Sequence, residues 1–343
     1  MVPLRIPILL FLLLLPGCLD VTQSTRVREN GSLESVVTVI GDSASIHSGA
    51  FTISLDSTWR KTIAGTSDGK FRMTASHSFG NDREMNDAMR VVPGRTLDLT
   101  VKLEKKFRWF FETYRYSETC RSFHQFNSIP LDRYISKAEM DILMKHLIDK
   151  SQADGGGDSL VIERTGKKLE AWEARNEFEA LYAVLLEGVK RRHDPALTPA
   201  MVEAEKESLA AALMYQSSEV SSDAVVKKLA EVFDSTAVRK ALEANAGEMQ
   251  FFEQRRNFHA SVIANSYEIR ADMPGMITAT NSTSVEGSSV SWKDITNRCY
   301  IADYTMWVES RVIHWWAIFV TAAVVIGALA LVVIGTIRSR SMP

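Results

Sequence analysis

Neither sign of charge is in surplus in this sequence: 40 Lys and Arg stand against 42 Asp and Glu. Such a balance lacks the basic footprint of a nucleic-acid binder, and no nucleic-acid partner is expected. Metal-ligand spacing is missing as well. The seven histidines are scattered, with no His-x-x-x-His and no Cys-x-x-Cys, so no metal site is expected. No phosphate loop and no dinucleotide fingerprint occurs, and no cofactor is expected either. Cysteine is limited to three residues, which allows at most one disulfide. Apolar residues make up 45% and aromatic residues 9% of the chain, as in a folded protein and unlike long disorder.

The run that organises the rest is Trp315 to Ile337, in which no residue is charged. As a helix it would be about 34 Å long, enough to cross a hydrocarbon core of about 30 Å. Trp315 and Trp316 sit where an aromatic belt would, and Arg338 and Arg340 follow the last apolar residue. The flanks therefore predict a transmembrane helix over 313–337 and a cytoplasmic tail over 338–343.

At the other end, Arg5 precedes the apolar run Ile6–Leu15, the layout of a secretory signal. Leu15-Pro16-Gly17-Cys18 follows and resembles the lipobox of bacterial lipoproteins, with Pro16 where Ala or Ser is commoner. The resemblance implies a signal peptide over 1–17, lipidation at Cys18 and a lipidated tether over 18–35. The two ends together place the main domain on the outer face of a bacterial cytoplasmic membrane, lipid-anchored and single-pass, with membrane lipids as its partners. With Cys18 acylated, Cys120 and Cys299 remain in an oxidising compartment, as a candidate disulfide or as two buried thiols.

From Val36 the apolar period is two. Val37 and Val39, then Phe51, Ile53 and Leu55, then Phe71 to Phe79 alternate with polar residues, as half-buried antiparallel strands do. Leu97 to Leu103 begins the longest strand pattern, which continues through Lys105–Cys120. Phe107, Trp109 and Phe111 fall on one face of it, Phe110, Tyr114 and Tyr116 on the other. Aromatics on both faces mark either a central strand covered on both sides or, as the six together, a candidate ligand or partner surface. After Pro130 the period becomes 3.6 until about Asn265, with helices expected over Ser136–Lys150, Lys167–Arg192, Pro199–Gln216, Asp223–Phe233, Thr236–Asn245 and Gly247–Ala264. Alternation then returns. This order predicts an α+β fold: an antiparallel β-rich domain with a large inserted α-helical bundle, plus one C-terminal transmembrane helix. The β domain spans 36–120 and 266–312; the helical insertion is 121–265.

In the segment Met273–Trp292, Pro274, Gly275, Asn281, Gly287, Val290 and Trp292 make a Pro-Gly turn, a strand ending at Asn, a Gly-bearing turn and a Val-x-Trp strand. With the lipobox and the basic-tailed final helix, the chain resembles the LppM-type membrane-anchored lipoproteins. The resemblance implies a β-rich domain similar to lipid-binding folds, displayed at the envelope. The expected function is a non-catalytic binding or scaffold component, for lipid or an envelope protein partner. The alternative is a GDSL-like serine hydrolase of envelope material, because Gly41-Asp42-Ser43 follows an apolar strand and Gly157-Asp158-Ser159-Leu160 spells the motif. A hydrolase needs a His oriented by an acid. The Asp-x-x-His near the C-terminus that would supply one is missing, so no enzyme is expected.

Overall fold

A computed structural model describes residues 19–48, 51–148, 158–216, 227 and 229–340. The signal, Cys18 and, of Asp223–Phe233, residues 223–226 and 228 lie outside the described residues. Strands β1 (Asp20–Val27), β2 (Leu33–Gly41), β3 (Arg60–Gly65), β4 (Phe71–Phe79), β5 (Leu99–Phe107) and β6 (Phe111–Cys120) come first, with helices α1 (Ser43–Ser48) and α2 (Asp82–Ala88) between them. Helices α3 (Lys137–Ile148), α4 (Asp158–Arg192), α5 (Pro199–Ala204), α6 (Lys206–Gln216), α7 (Ser235–Glu243) and α8 (Ala246–Ala264) follow. Strands β7 (Ser266–Asp272), β8 (Met276–Thr280), β9 (Ser284–Glu286) and β10 (Ser289–Trp292), helix α9 (Ile295–Arg298), strand β11 (Tyr304–Ile313) and helix α10 (Trp315–Arg340) complete the chain. The α+β class and the inserted helices are as the change of period predicts.

The strands form two sheets, ordered β3-β4-β2-β1-β7-β10-β9 and β5-β6-β11-β8. Their inner faces share one core, in which Val21, Val37 and Met73 of the first meet Tyr116, Met306 and Val308 of the second. Pairing is antiparallel except between β1 and β7, which run parallel with Val21 opposite Tyr267.

That β1 exists corrects the tether expected over 18–35. Its inward residues are Val21, Gln23, Thr25 and Val27. Two of the four are polar, so the period of two is invisible to a hydrophobicity pattern, yet Gln23 and Thr25 are fully buried. Two further expectations fail for local reasons. Phe51, Ile53 and Leu55 form no strand; the segment is a loop whose Thr52 carbonyl accepts from the Leu97 amide at 2.7 Å. The long strand through Lys105–Cys120 is instead a hairpin of β5 and β6, with Leu103 opposite Tyr116. The turn resets the parity, so odd residues of β5 and even residues of β6 share the inner face.

Strands β1 and β7 start side by side. The Leu19 amide donates to Asn265 Oδ1 at 2.9 Å, and the Ser266 amide donates to the Leu19 carbonyl at 2.9 Å. Both strands then run away from the helical insertion for about 20 Å, at about 3.3 Å per residue. Past Asp272 the chain crosses to the other sheet, where Met276 lies opposite Arg311. Gly275 makes the crossing with φ +74, and a Cβ there would collide with the Arg311 carbonyl. Asn281 ties the seam: its Oδ1 accepts from the Trp307 amide at 2.9 Å and from Trp292 Nε1 at 3.0 Å. Leu19 thus sits at the pole carrying the helices, and β11 enters α10 at the opposite pole.

The helical insertion has its own core, built from Phe178, Leu181, Leu185 and Val189 of α4 against Val238 and Ala241 of α7 and Phe252 of α8. A capping box starts α3, in which Ser136 accepts from the Glu139 amide and Glu139 accepts from the Ser136 amide. Gly188 lets α4 and α7 touch, since a Cβ there would meet the Ala241 carbonyl. Cys120, the last residue of β6, is bonded to Cys299, with Cα atoms 5.9 Å apart. The bond closes a loop around the whole insertion.

A candidate membrane-interface site

The β5–β6 hairpin turns in two residues. Arg108 and Phe111 exchange backbone hydrogen bonds, 2.8 Å from the Arg108 amide and 3.3 Å from the Phe111 amide, which leaves Trp109 and Phe110 at the tip. Two-residue turns favour Gly, Asn or Asp, and two large aromatics there gain nothing from water. Trp109 is 50% exposed and Phe110 44%. Their surroundings are apolar. Phe107 stacks on His314 at 5.3 Å between ring centres, and the His314 amide donates to the Phe110 carbonyl at 2.8 Å.

The tip leans on the start of α10. Trp109 packs edge-on against Trp316 at 5.5 Å, and its indole Nε1 donates to Thr321 Oγ1 at 2.9 Å. Thr321 lies six residues into the helix, about 9 Å along its axis. In hydrocarbon an unpaired indole N–H costs several kcal/mol; here the Thr321 hydroxyl oxygen accepts it. Exposed Ile313, Trp315, Phe319 and Met276 extend the apolar collar around them. Lys105, Lys106 and Arg108, all exposed, lie beside the tip, where each basic group near an anionic surface contributes about 1 kcal/mol.

The six aromatics of the expected surface divide three ways. Phe107, Trp109 and Phe110 gather at the collar. Phe111 is half-buried on the outer face, beneath the Arg311 guanidinium at 4.2 Å. Tyr114 and Tyr116 are fully buried in the core, with the Tyr114 hydroxyl donating to the Glu29 carbonyl at 2.7 Å. These two are not available to a surface partner. The parity change at the turn separates them, and hydrophobicity alone could not reveal a turn made of Trp and Phe.

Among the described residues, α10 is the one helix long and apolar enough to cross a membrane. Only 6% of its apolar stretch Trp315–Ile334 is buried against the rest of the protein. Exposed apolar surfaces of that size mark protein–protein or membrane interaction sites.

Around Ser43 the chain does pass from strand to helix, contrary to the expected run of strands. Ser43 Oγ lies 3.4 Å from His47 Nδ1, but that nitrogen is closer, at 2.7 Å, to the Ser43 carbonyl. Asp42 is spent on Ser45, accepting from its amide at 2.9 Å and its hydroxyl at 2.7 Å. Among the described residues no carboxylate bonds the His47 ring, so the pair lacks its orienting acid. Asp158, Ser159 and Leu160 of the second GDSL match open α4. No group of three or more His, Cys, Asp or Glu among the described residues is placed to hold a metal ion.

No protein-family profile matches the chain, and no curated protein matches it. Among solved structures it is similar to the folded domain of LppM from Mycobacterium tuberculosis, determined by NMR. The match covers 88% of this chain and 95% of that chain, at 10% identity and a TM-score of 0.28. The resemblance is a distant one.

Proposed function

We propose that the protein is a non-catalytic binding or scaffold component of a bacterial envelope, held at a membrane surface through α10 and the aromatic collar. The observation that supports this best is the Trp109–Thr321 bond, which seats the hairpin tip alongside the apolar helix. Seven tryptophans make the reading testable. Trp109, Trp315 and Trp316 are exposed, Trp59, Trp172 and Trp292 are buried, and Trp307 is half-buried beneath Arg115 at 4.8 Å. In vesicles of brominated phosphatidylcholine, the first three are expected to be quenched and the other four spared. Trp109→Phe should lower the quenched fraction, and quenching confined to Trp315 and Trp316 would remove the hairpin from the membrane.

Lipidation of Cys18 adds a second anchor. The expected result is incorporation of labelled palmitate, with Cys18→Ala accumulating as an unprocessed precursor; a wild-type chain that takes up no label rejects the anchor. The fold adds a constraint. Leu19 is buried at the pole away from Trp315, about 20 Å along the strands. Both anchors reach one bilayer when the strands lie along its surface, with the collar and the start of β1 at the same depth.

A further inference from the structure

The outer face of the four-stranded sheet runs down to the collar, and register fixes what stands at that end. Lys106 lies opposite Thr113, Thr113 opposite Arg311, and Arg311 opposite Met276. One row thus crosses β5, β6, β11 and β8 with a cation on either side of Thr113. The next row toward α10 holds Arg108, Phe111 and Ile313. Arg108 and Phe111 exchange backbone hydrogen bonds across the turn, and Ile313 lies opposite Phe111. Directly opposed residues project from the same face. Three exposed basic side chains therefore share one end of one face, with Ile313 and Met276 exposed beside them.

Their partners decide what this end can bind. The acids of the face, Glu104 and Glu309, stand one row farther from α10 and are already matched. Arg115 meets Glu309 at 2.6 Å, and Glu104 is shared by Lys102 at 2.7 Å and Lys106 at 3.4 Å. Among the described residues, Arg108 and Arg311 have no carboxylate within 4 Å. Arg311 is held on this face by the Phe111 ring, 4.2 Å from its centre. A guanidinium carries five N–H donors in a fork that matches phosphate oxygens. Here two such forks are uncommitted.

Depth agrees with charge. Arg311 stands two residues before Ile313, about 7 Å along the strand, and the headgroup layer on each side of the hydrocarbon is about 5–7 Å thick. With Ile313 at the hydrocarbon edge and Trp109 against the start of α10, the three cations fall among the lipid phosphates. A depression of about 370 Å³, lined by Lys106, Thr113 and the Glu104–Arg115–Glu309 row, leaves room for a headgroup just outside them.

We infer that this end of the sheet face docks an anionic phospholipid of the bilayer that α10 crosses, with Arg108 and Arg311 on its phosphate and Lys106 adding charge. The inference rests on the membrane placement of the collar proposed above. A zwitterionic headgroup brings its own cation to the same residues and gains less.

The full chain is reconstituted in phosphatidylcholine vesicles holding a small fixed fraction of brominated phosphatidylglycerol or, in parallel, of brominated phosphatidylcholine. Tryptophan quenching by the second reports contact with the bilayer, and the excess from the first reports selection of the anionic lipid. At low salt, phosphatidylglycerol is expected to associate about fivefold more strongly or better, the factor that one basic residue contributes near an anionic surface. The excess should fade in about 0.5 M NaCl, because exposed charges are screened. Arg108→Gln with Arg311→Gln should bring the ratio close to one while quenching by phosphatidylcholine persists. Lys240→Gln, which removes an exposed cation of α7, should leave the ratio unchanged. Equal association of the two lipids with wild type, or an excess that survives the double substitution, overturns the inference and leaves the collar where it is. Phosphatidylcholine quenching that Trp109→Phe does not reduce overturns the collar's placement, and this inference with it.

Discussion

Removing the disulfide by Cys120→Ala with Cys299→Ala is expected to lower stability by about 5 kcal/mol at 25 °C, the chain-entropy value for a loop of this length. The two cysteines are 179 residues apart in sequence, and freeing them lets the unfolded chain explore a far larger volume. Both side chains are fully buried, so the double variant leaves no unpaired thiol and little new space. In the ladder Cys120 lies between Tyr304 of β11 on one side and Leu99 of β5 on the other. The ladder holds that position once folded, so the loss falls on the unfolded state. Chemical denaturation in detergent, with and without reductant, measures it. A wild-type midpoint unmoved by reductant, or a double variant as stable as wild type, rejects the expectation.

The second large effect concerns pH. Glu118 is fully buried between the sheets, where Tyr116 donates to its Oε2 at 2.7 Å and Gln23 Nε2 to its Oε1 at 2.9 Å. Burial pushes its carboxyl up to about 7, while the two hydrogen bonds pull the other way. An unfolded Glu releases its proton near 4.5. From there to pH 7 the folded state holds a proton that the unfolded chain has lost, so stability falls as pH rises through the window. The difference corresponds to about 3 kcal/mol, fully felt above pH 7. His124 and His259 act oppositely, since their folded values lie below 6.5; they cost stability as pH falls below that value. Glu118→Gln removes only the first contribution. Gln23 Oε1 has no partner, and a turned amide there can accept from the new side chain. Glu118→Gln should match wild type near pH 4 and exceed it at pH 8, because wild type alone then holds a buried charge. Parallel stability curves for the two proteins would show that Glu118 titrates as an exposed carboxyl.

Much of this architecture was legible in the residues, because period is a local property. Alternation over Phe71–Phe79 and the 3.6 period over Lys167–Arg192 each bury one face, and each forms the element expected. The apolar run from Trp315 announces itself by composition alone. Where the pattern failed, tertiary contacts decided. Asp20–Val27 reads as polar linker, yet Gln23 meets Glu118 from a strand 95 residues away. Phe51 to Leu55 alternates without pairing, because β2 already has its neighbours in β1 and β4.

By itself, the sequence determined the order strands, helices, strands, the apolar terminal helix and the candidate lipid-bearing Cys18. Only the tertiary structure decided that the hairpin tip meets α10, that Tyr114 and Tyr116 turn inward, and that β1 begins at the far pole. It also brought Lys106, Arg108 and Arg311 to one end of a sheet face, from β5, the turn after it and β11. Local signals specify which face of an element is apolar. Which distant face covers it is settled by packing, where polar pairs such as Gln23 and Glu118 count as interior and no hydrophobic period records them.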